Sequence, residues 1–201
     1  MIVERFRGFF PIVVDLETTG LDPNIHGVLE LGAQTVIEQE DGTFLPGETC
    51  HFHLIPFEKA AYDPESTAIH KIDPFHPLRL AVSENECIHE FFNWVRTQKK
   101  PSGCHRAVLV GHNAWFDLAF LNALIARTEV KRNPFHRFTS FDTATLCALA
   151  YGQTVLAKAC EVAKIPYDGK EAHSALYDTQ ITTQLFCDVL NRWHRMSEQQ
   201  L

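Results

Sequence analysis

The chain has 201 residues, a length that suits one globular domain, and we expect residues 1–201 to form a single domain. Hydrophobic residues make up 45% of it and charged residues 21%, which is ordinary for a water-soluble protein. No apolar run approaches the roughly 18 residues that a membrane-spanning helix needs. The formal net charge of −7, taken alone, argues against nucleic-acid binding, since phosphate contacts depend on Lys and Arg.

Two local features favour the cytoplasm. The N-terminal stretch MIVERFRGFF lacks the long apolar core and the small-residue cleavage site of a signal peptide. The six cysteines are widely spaced and form no C-x-x-C pattern, which predicts reduced thiols rather than zinc ligands or disulfides. We therefore expect a cytoplasmic protein.

The first half of the chain predicts strands followed by irregular structure. Three stretches predict buried or half-buried strands, at residues 10–17, 29–38 and 49–55. The turn signal at 40–42 predicts that the second and third strands form a hairpin. Residues 56–83 are rich in Pro, His and Asp, which favours loop with short helices.

The second half alternates strands with helices. The spacing of apolar residues predicts helices at 84–98, 114–127, 142–150, 154–164 and 174–195. Short strands are predicted at 107–111 and 138–141. The last helix shows a core face that recurs every four residues, at Ile181, Leu185, Val189 and Trp193. This element order predicts an α/β fold with a mixed sheet flanked by helices, which places its site near strand ends.

Asp15 and Glu17 interrupt the apolar run IVVDLETTG. Residues i and i+2 of a strand face the same side, so the two acids project together from a strand otherwise suited to burial. Close carboxylates repel each other, and partial burial increases the cost. A divalent cation removes that conflict, and oxygen ligands suit Mg²⁺ or Mn²⁺. The pair alone is equally consistent with a strand end at which both acids reach water.

Asp117 lies at the start of a predicted helix. We predict Asn113 as its N-cap, and an acid in the first turn complements the helix dipole, which is a sufficient structural explanation. Asp117 also shares a stripe with Phe120 and Leu124, so its carboxylate points along the buried face. An inward carboxylate needs a partner, and a metal ion would supply one.

His173 and Asp178 lie five residues apart in HSALYD. On one helix they would be separated by about 140° and could not face one point. With Ser174 as the N-cap, His173 stays on the preceding loop and Asp178 occupies the first turn. Imidazole takes up protons near neutral pH, so a loop histidine beside a fixed carboxylate suits general-base catalysis. Alone, the segment also fits a loop histidine before an ordinary helix-start acid.

Together, the three segments fit two-metal hydrolysis of a phosphodiester. Two ions about 3.5–4 Å apart can activate water and stabilise the leaving oxygen, which requires several converging carboxylates. We predict that Asp15 bridges two Mg²⁺ ions. Glu17 and Asp178 complete the ligands of one ion, and Asp117 binds the second. His173 deprotonates the attacking water.

Two further groups of residues receive a simpler interpretation. His51 and His53 share one face of the third predicted strand, but no third ligand is evident, so we interpret them as ordinary strand residues. Basic residues cluster near the start, the middle and the later part of the chain, at Arg5, Arg7, Lys99, Lys100, Arg106, Lys131, Arg132 and Arg137. Taken alone, each basic cluster is interpreted as solvated surface.

The three acidic segments resemble the motifs of the DEDDh family of 3′→5′ exonucleases, which includes polymerase proofreading subunits. D-x-E, N-x-x-F-D and H-x-x-x-x-D occur in the order and spacing of that family. Other segments are similar to a single member over nearly the whole chain: RFRGFFPIVVDLE, HFHLIPF, AVSE, HNAWFD, KRNPFHRF, FDTATL, GQTVLAKAC, AHSALYDT and NRW. Because several of these are not catalytic, a generic proofreading exonuclease is a poorer match.

The resemblance implies a ribonuclease H-like fold and a homodimer. It implies trimming of RNA 3′ ends, with transfer RNA ends and the 3′ ends of stable RNAs as substrates and single-stranded DNA also accepted. Two Mg²⁺ ions per active site are the implied cofactors, with Mn²⁺ as a substitute. We expect no membrane association.

The resemblance also implies residues that bind the substrate. Basic residues of one subunit that guide nucleic acid to the other active site match Arg5, Arg7, Lys100, Arg106, Lys131 and Arg132. The positions that hold terminal bases match Glu65, Phe116 and Phe138, although core packing is the alternative for the two aromatics. Leu21 and Ile69 stand where the similar member can carry phenylalanine. Since they lack a π-face, they bear on discrimination among 3′-terminal bases rather than on cleavage.

Two alternatives remain open. The chain could be a DNA-directed exonuclease for repair or proofreading, which matched RNA and DNA oligonucleotides would distinguish. It could also be a nucleic-acid binding module without catalysis, although the presence of all five active-site residues argues against that.

Overall fold

The α/β prediction is confirmed by a mixed β-sheet with helices packed against it. The computed structural model describes residues 1–198, which form six strands and seven α-helices. The strands are β1 (Phe9–Thr18), β2 (Val28–Glu38), β3 (Phe44–Ile55), β4 (Val82–Ser83), β5 (Arg106–Gly111) and β6 (Phe135–Asp142). The helices are α1 (Ile2–Arg5), α2 (Pro64–His70), α3 (Glu84–Lys99), α4 (Trp115–Thr128), α5 (Thr143–Tyr151), α6 (Leu156–Ala163) and α7 (Ala175–Glu198). None of these helices is long and apolar enough to cross a bilayer.

Strand β1 joins the antiparallel and parallel parts of the sheet. The strand order is β4-β3-β2-β1-β5-β6. Strand β2 runs antiparallel to both of its neighbours, β1 and β3, whereas β5 runs parallel to β1 and β6 runs parallel to β5. The predicted hairpin between β2 and β3 is confirmed. Because β1, β5 and β6 run in one direction, their carboxyl ends meet at the same edge of the sheet, where α/β folds place their sites.

Helix α7 packs across β1, β2 and β3, whereas α3 and α4 pack on each other and against β5. The start of α7 comes unusually close to β2 because residue 32 is glycine. A Cβ on Gly32 would lie 2.3 Å from the carbonyl oxygen of Ala175, the first residue of α7. Since Gly32 pairs with Asp15 across the sheet, this contact brings the start of α7 close to the acids of β1.

Two strands are longer than predicted, and two short elements were not predicted. Strand β3 begins at Phe44 rather than residue 49, and β6 spans Phe135–Asp142 rather than 138–141. Many residues of both strands are exposed or half-buried, which weakens the apolar pattern that marks a strand. Helix α1 and strand β4 have only four and two residues, too few for a periodic signal.

The predicted core face of the last helix is only partly correct. Ile181 and Leu185 are buried, but Val189 is half-buried and Trp193 is 55% exposed. Four residues advance a helix by about 400°, so a four-residue repeat drifts by about 40° at each step. Further along α7, residues on the adjoining face, such as Phe186, take over the contacts with the main core.

Candidate active site

Asp15 and Glu17 project together from the end of β1, as predicted. Both are partly buried, and both interact electrostatically with Asp117 and Asp178. A register shift between Glu17 and Thr18 interrupts the pairing of β1 with β2 directly after the two acids. The strand therefore delivers two carboxylates to the edge of the sheet at which the chain turns away.

Asp117 lies in the first turn of α4 and is 3% exposed, which confirms that it faces inward. Its Oδ1 accepts a hydrogen bond from the Leu16 N–H at 3.1 Å, between the two acids of β1. Gly111, which ends β5, permits this approach, because a Cβ there would lie only 3.0 Å from Asp117 Oδ2. The end of a strand and the start of a helix thus hold the third carboxylate against β1.

The predicted N-cap of α4 is wrong. Ala114 occupies the cap position without a side-chain cap, and Asn113 precedes it in a left-handed conformation with a φ of 67°. The N–H groups of Asn113 and Ala114 donate instead to Asp142 Oδ1, at 2.8 and 3.2 Å. Asp142, at the end of β6, therefore binds N–H groups that the helix start leaves without an intrahelical partner.

His173 lies on the loop before α7 and Asp178 in its first turn, as predicted. The Asp178 N–H donates to the Ser174 carbonyl at 2.9 Å, which places Ser174 at the N-cap position. The His173 N–H donates to Asp178 Oδ2 at 2.8 Å, while Asp178 Oδ1 is buried without a hydrogen-bond partner in residues 1–198. One ligand atom each from Glu17, His173 and Asp178 lie within 4.8 Å of one another.

Burial disfavours the ionised form of all four carboxylates. Burial, followed by the charges of Asp117 and Glu17, raises the pKa of Asp15 well above its usual range. Burial, followed by the charge of Asp178, raises the pKa of Glu17 to about 8. Burial likewise raises the pKa of Asp117 to about 8 and raises the pKa of Asp178. The folded chain lacks the positive charge to ionise all four, so the donor set fits divalent cations with oxygen ligands.

A second cluster lies beside these acids, on β2 and β3. Glu30 pairs with Glu17 on one side and with His53 on the other. His53 Nδ1 lies 3.0 Å from Glu30 Oε1, and His51 Nε2 lies 3.5 Å from Glu30 Oε2. The interpretation that the two histidines have no third potential ligand is therefore wrong. Glu30 was missed because it comes from the neighbouring strand and is adjacent only through the register of the hairpin.

The surroundings of Glu30 compensate its charge. Burial acts to raise the pKa of Glu30, but His51, His53 and the Ala175 N–H outweigh it and lower the pKa overall. The Ala175 N–H donates to Glu30 Oε2 at 3.3 Å. Glu30 is therefore bound to the start of α7, two residues after His173.

Hydrogen bonds hold the segment before helix α2 against the residue that follows β1. The sequence did not predict this contact. The Asp63 N–H donates to the Thr19 carbonyl at 2.7 Å, and the Thr19 hydroxyl donates to the Ala61 carbonyl at 2.6 Å. His70, the last residue of α2, interacts electrostatically with His173. No local sequence signal marks His70, because only these long-range contacts place it near the carboxylates.

Three of the predicted base-binding residues lie at this end of the sheet. Leu21 lies three residues after the end of β1 and is 72% exposed. Glu65 and Ile69 are exposed residues of α2, which the contacts of Thr19 hold beside β1.

The two predicted aromatic residues differ in exposure. Phe116 adjoins Asp117 but is half-buried, with its ring 4.8 Å from that of Phe120. Core packing therefore explains part of its environment. Phe138, on β6, is 81% exposed, which excludes core packing as the explanation for that residue.

The six predicted basic residues gather at the opposite end of the strands. All six are exposed: Arg5, Arg7, Lys100, Arg106, Lys131 and Arg132. They precede or open the parallel strands, and Arg106 pairs with Phe9 where β5 and β1 begin. Asp15 lies six residues further along β1 than Phe9, a distance of about 20 Å on an extended strand. The fold therefore does not bring these basic residues and the carboxylates together within one chain.

Known proteins identify the family to which the chain belongs. The chain matches the Exonuclease (RNase_T) family over residues 12–186. It is 54% identical over 188 residues to Ribonuclease T of Actinobacillus pleuropneumoniae serotype 5b (strain L20), covering 94% of this chain and 86% of that protein. It is 52% identical over 193 residues to Ribonuclease T of Cronobacter sakazakii (strain ATCC BAA-894), covering 96% and 86%.

Solved structures share the fold at low sequence identity. The nuclease domain of 3′hExo, a DEDDh family member bound to rAMP, superposes with a TM-score of 0.72 at 19% identity, covering 91% of this chain and 92% of that one. E. coli Exonuclease I in complex with a dT13 oligonucleotide gives 0.70 at 16% identity, covering 94% of this chain but only 43% of that one. These neighbours confirm the predicted ribonuclease H-like fold. With its three acidic motifs converging and residues 12–186 matching, the chain belongs to the Exonuclease (RNase_T) family.

Proposed function

We propose that the chain is an exoribonuclease that trims single-stranded RNA from its 3′ end and also accepts single-stranded DNA. Family membership makes it a hydrolytic 3′→5′ exonuclease of single-stranded nucleic acid. The choice of RNA, with transfer RNA ends and the 3′ ends of stable RNAs as substrates, rests on the relatives named Ribonuclease T. These substrates and the six free cysteines favour a cytoplasmic location.

The observation that carries the chemistry is the convergence of four uncompensated carboxylates beside His173. Asp15 and Glu17 on β1, with Asp117 and Asp178 at two helix starts, are the proposed ligands of two Mg²⁺ ions, which Mn²⁺ can replace. When bound, such ions supply Lewis-acid activation of water and stabilise charge on the leaving oxygen. The raised pKa values of the four acids and the unpartnered Oδ1 of Asp178 support this assignment.

His173 is the proposed general base. Its side chain is exposed, while its N–H is held by Asp178 Oδ2 at 2.8 Å. The loop backbone adopts a left-handed conformation with a φ of 67°, which is uncommon for residues other than glycine. The imidazole thus remains free to accept the proton of the attacking water and to release it to solvent.

The exposed residues around the carboxylates are proposed to hold the last bases of the substrate. Leu21, in the turn after β1, and Glu65 and Ile69 of α2 contact the terminal nucleotides. Phe116 and Phe138 offer aromatic faces. Stacking on an aromatic ring contributes about 1–3 kcal/mol per base. Because Leu21 and Ile69 lack such a ring, we propose weaker discrimination among terminal bases than two phenylalanines would give.

We propose that the working form is a homodimer in which each subunit serves the active site of the other. The distance of about 20 Å between the basic strand starts and Asp15 supports this, because one chain cannot apply both to the same nucleotide. Light scattering at assay concentration measures the assembly. An active monomer would contradict the proposal that basic residues act across the dimer.

The function is tested with a single-stranded RNA that carries a 5′ label. We expect stepwise shortening from the 3′ end in Mg²⁺, no shortening in EDTA, and at most a trace of shortening with His173→Ala on the same time scale. Mn²⁺ in place of Mg²⁺ should restore cleavage after EDTA treatment. RNA binding without any shortening at saturating Mg²⁺ would favour the binding-module alternative.

A matched DNA oligonucleotide separates the two enzymatic alternatives. The exoribonuclease proposal expects faster shortening of RNA than of DNA of the same sequence. Faster shortening of DNA would favour a repair or proofreading exonuclease. Substrates that differ only in the 3′-terminal base then measure the discrimination attributed to Leu21 and Ile69.

A further inference from the structure

The cluster of Glu30, His51 and His53 takes no part in the proposed cleavage step, although it presents three potential ligands. We infer that this cluster is a second cation site, separate from the catalytic carboxylates, and that it takes Zn²⁺ or a similar divalent ion that favours imidazole. It lies on β2 and β3, one strand away from Asp15 and Glu17. The inference does not depend on the identity of the nucleic-acid substrate.

The distances within the cluster suit a four-coordinate ion. Zn²⁺ binds imidazole nitrogen and carboxylate oxygen at about 2.0–2.2 Å, so neighbouring ligands of a tetrahedral site lie about 3.3 Å apart. His53 Nδ1 and Glu30 Oε1 are 3.0 Å apart, and His51 Nε2 and Glu30 Oε2 are 3.5 Å apart. One atom from each of the three residues lies within 4.8 Å of the others.

Two ring nitrogens of the cluster face Glu30 without forming a well-shaped hydrogen bond among residues 1–198. His51 Nε2 and His53 Nδ1 are both buried, and neither makes a hydrogen bond of acceptable geometry, even to the nearby Glu30. Buried nitrogens of this kind cost free energy unless something binds them. The side chains of His51 and His53 are still 25% and 38% exposed, so the cluster is open to an ion from solvent.

The donor types favour zinc over magnesium. Imidazole suits Zn²⁺ and neighbouring transition metals, whereas Mg²⁺ prefers oxygen ligands. His51 and His53 are two residues apart on one strand face, a spacing that aims both rings at one point. Cys50 does not compete, because burial raises the pKa of its thiol to about 12.

Arg79 limits how tightly the cluster can hold a cation. Its guanidinium interacts electrostatically with Glu30 and His53, although both Nη atoms donate to main-chain carbonyls, those of Leu54 and Leu29 at 2.7 and 2.5 Å. A positive charge nearby weakens cation binding. We therefore expect an ion that a chelator removes, rather than one retained through purification.

An ion at this cluster would stabilise the position of the loop that carries His173. Glu30 Oε2 accepts the N–H of Ala175, and the loop that precedes Ala175 carries His173. Fixing Glu30 to two histidines of β3 would bind the hairpin and the start of α7 into one unit. Its occupant is thus expected to raise thermal stability, because it binds the folded state alone.

Zinc binding to the full chain tests the inference. Chelator-stripped wild type, His51→Gln/His53→Gln and the surface control His89→Gln are titrated with Zn²⁺ by calorimetry. We expect the double variant to bind one equivalent fewer than the wild type, and His89→Gln to match the wild type. X-ray absorption at the zinc edge should lose the scattering of two imidazoles in the double variant, since the catalytic cluster offers only His173.

Activity in Mg²⁺ alone verifies that the double variant is folded. If it does not fold, the single variants His51→Gln and His53→Gln replace it, and each should bind Zn²⁺ more weakly than His89→Gln does. Equal stoichiometry and affinity in all variants would overturn the inference. So would a zinc edge spectrum whose imidazole scattering stays at the wild-type level without His51 and His53.

Discussion

Glu17 of β1 and Glu30 of β2 are paired across the sheet, yet their pKa values are shifted in opposite directions. Burial and the neighbouring Asp178 raise the pKa of Glu17 to about 8. At Glu30, burial acts in the same direction, but two histidines and the Ala175 N–H reverse it and lower the pKa. Burial favours the neutral acid at both positions, so the difference comes from the groups that each carboxylate faces.

The comparison shows two ways to keep an acid inside a fold. A buried carboxylate is unfavourable unless a charge or hydrogen-bond donor compensates it. Around Glu30 the chain supplies compensation itself. Around Glu17 it supplies three more acids. The negative charge of these four carboxylates is therefore uncompensated in the folded chain, and bound cations would compensate it. Such local instability is common where function rather than folding selects the residues.

The largest expected difference is in cleavage. Asp15→Asn should reduce the cleavage rate by roughly 10⁴-fold, since losing metal-ion catalysis costs several kcal/mol in the transition state. Glu30→Gln should stay within about tenfold of the wild type, because it removes only a supporting contact. Single-turnover rates on labelled RNA measure both, with circular dichroism as the control for folding. Similar losses of cleavage rate in the two variants would mean that Glu30 is as important for catalysis as Asp15, which contradicts the separate functions of the two clusters.

The histidines of the two clusters offer the second test. His173→Ala should reduce the rate by about 10²–10⁴-fold without loss of RNA affinity, which is the range for a general base. His53→Ala should change the rate little when Mg²⁺ is the only metal. RNA affinity provides the control, because both variants should bind the labelled RNA as tightly as the wild type does. A larger loss of rate in His53→Ala than in His173→Ala would mean that the assignment of the base is wrong.

Gly32 joins the two clusters, since it pairs with Asp15 on one side and His51 on the other. In Gly32→Ala the new Cβ would lie 2.3 Å from the Ala175 carbonyl and 2.7 Å from Thr179 Oγ1, so α7 must move away. We expect destabilisation of about 1–3 kcal/mol and weaker cleavage.

Chemical denaturation measures the loss in Gly32→Ala. Gly169→Ala is the matched control, because among residues 1–198 no heavy atom beyond its chain neighbours lies within 4 Å of the added Cβ. Equal stability of the two variants would mean that the start of α7 does not depend on the close approach at Gly32.

The parts of the site that local pattern controls could be predicted from the sequence. The alternation of side chains along a strand predicted that Asp15 and Glu17 share one face. The periodicity of the helix predicted that Asp117 faces inward. Features that depend on distant contacts could not be predicted. The N-cap assigned to Asn113 failed because Asp142, 29 residues later, binds the N–H groups at that helix start. Glu30 joins the histidines only through the register of β2 with β3, which no short segment encodes.

The smallest expected effect is the pH dependence of stability without metal, and it separates Glu17 from Glu30 directly. The pKa of Glu17 rises from 4.5 to about 8 on folding, so the native state holds its proton where the unfolded chain has released it. Its contribution to the free energy of unfolding is therefore present below about pH 4.5 and lost as the pH rises through 8. Glu30, with its lowered pKa, contributes above its unfolded pKa and loses that contribution as the pH falls.

Thermal unfolding in EDTA between pH 5 and 8 measures this contrast. Glu17→Gln should flatten the decline in the midpoint toward pH 8, by a few degrees at about 2–4 °C per kcal/mol. Glu30→Gln should lower the midpoint at pH 8 and leave the decline in place. Adding Mg²⁺ should raise the wild-type midpoint most at pH 8, where the uncompensated charge is greatest. A midpoint that rises between pH 5 and 8 in EDTA, and rises equally in Glu17→Gln, would show that the acids of β1 are compensated within the folded chain.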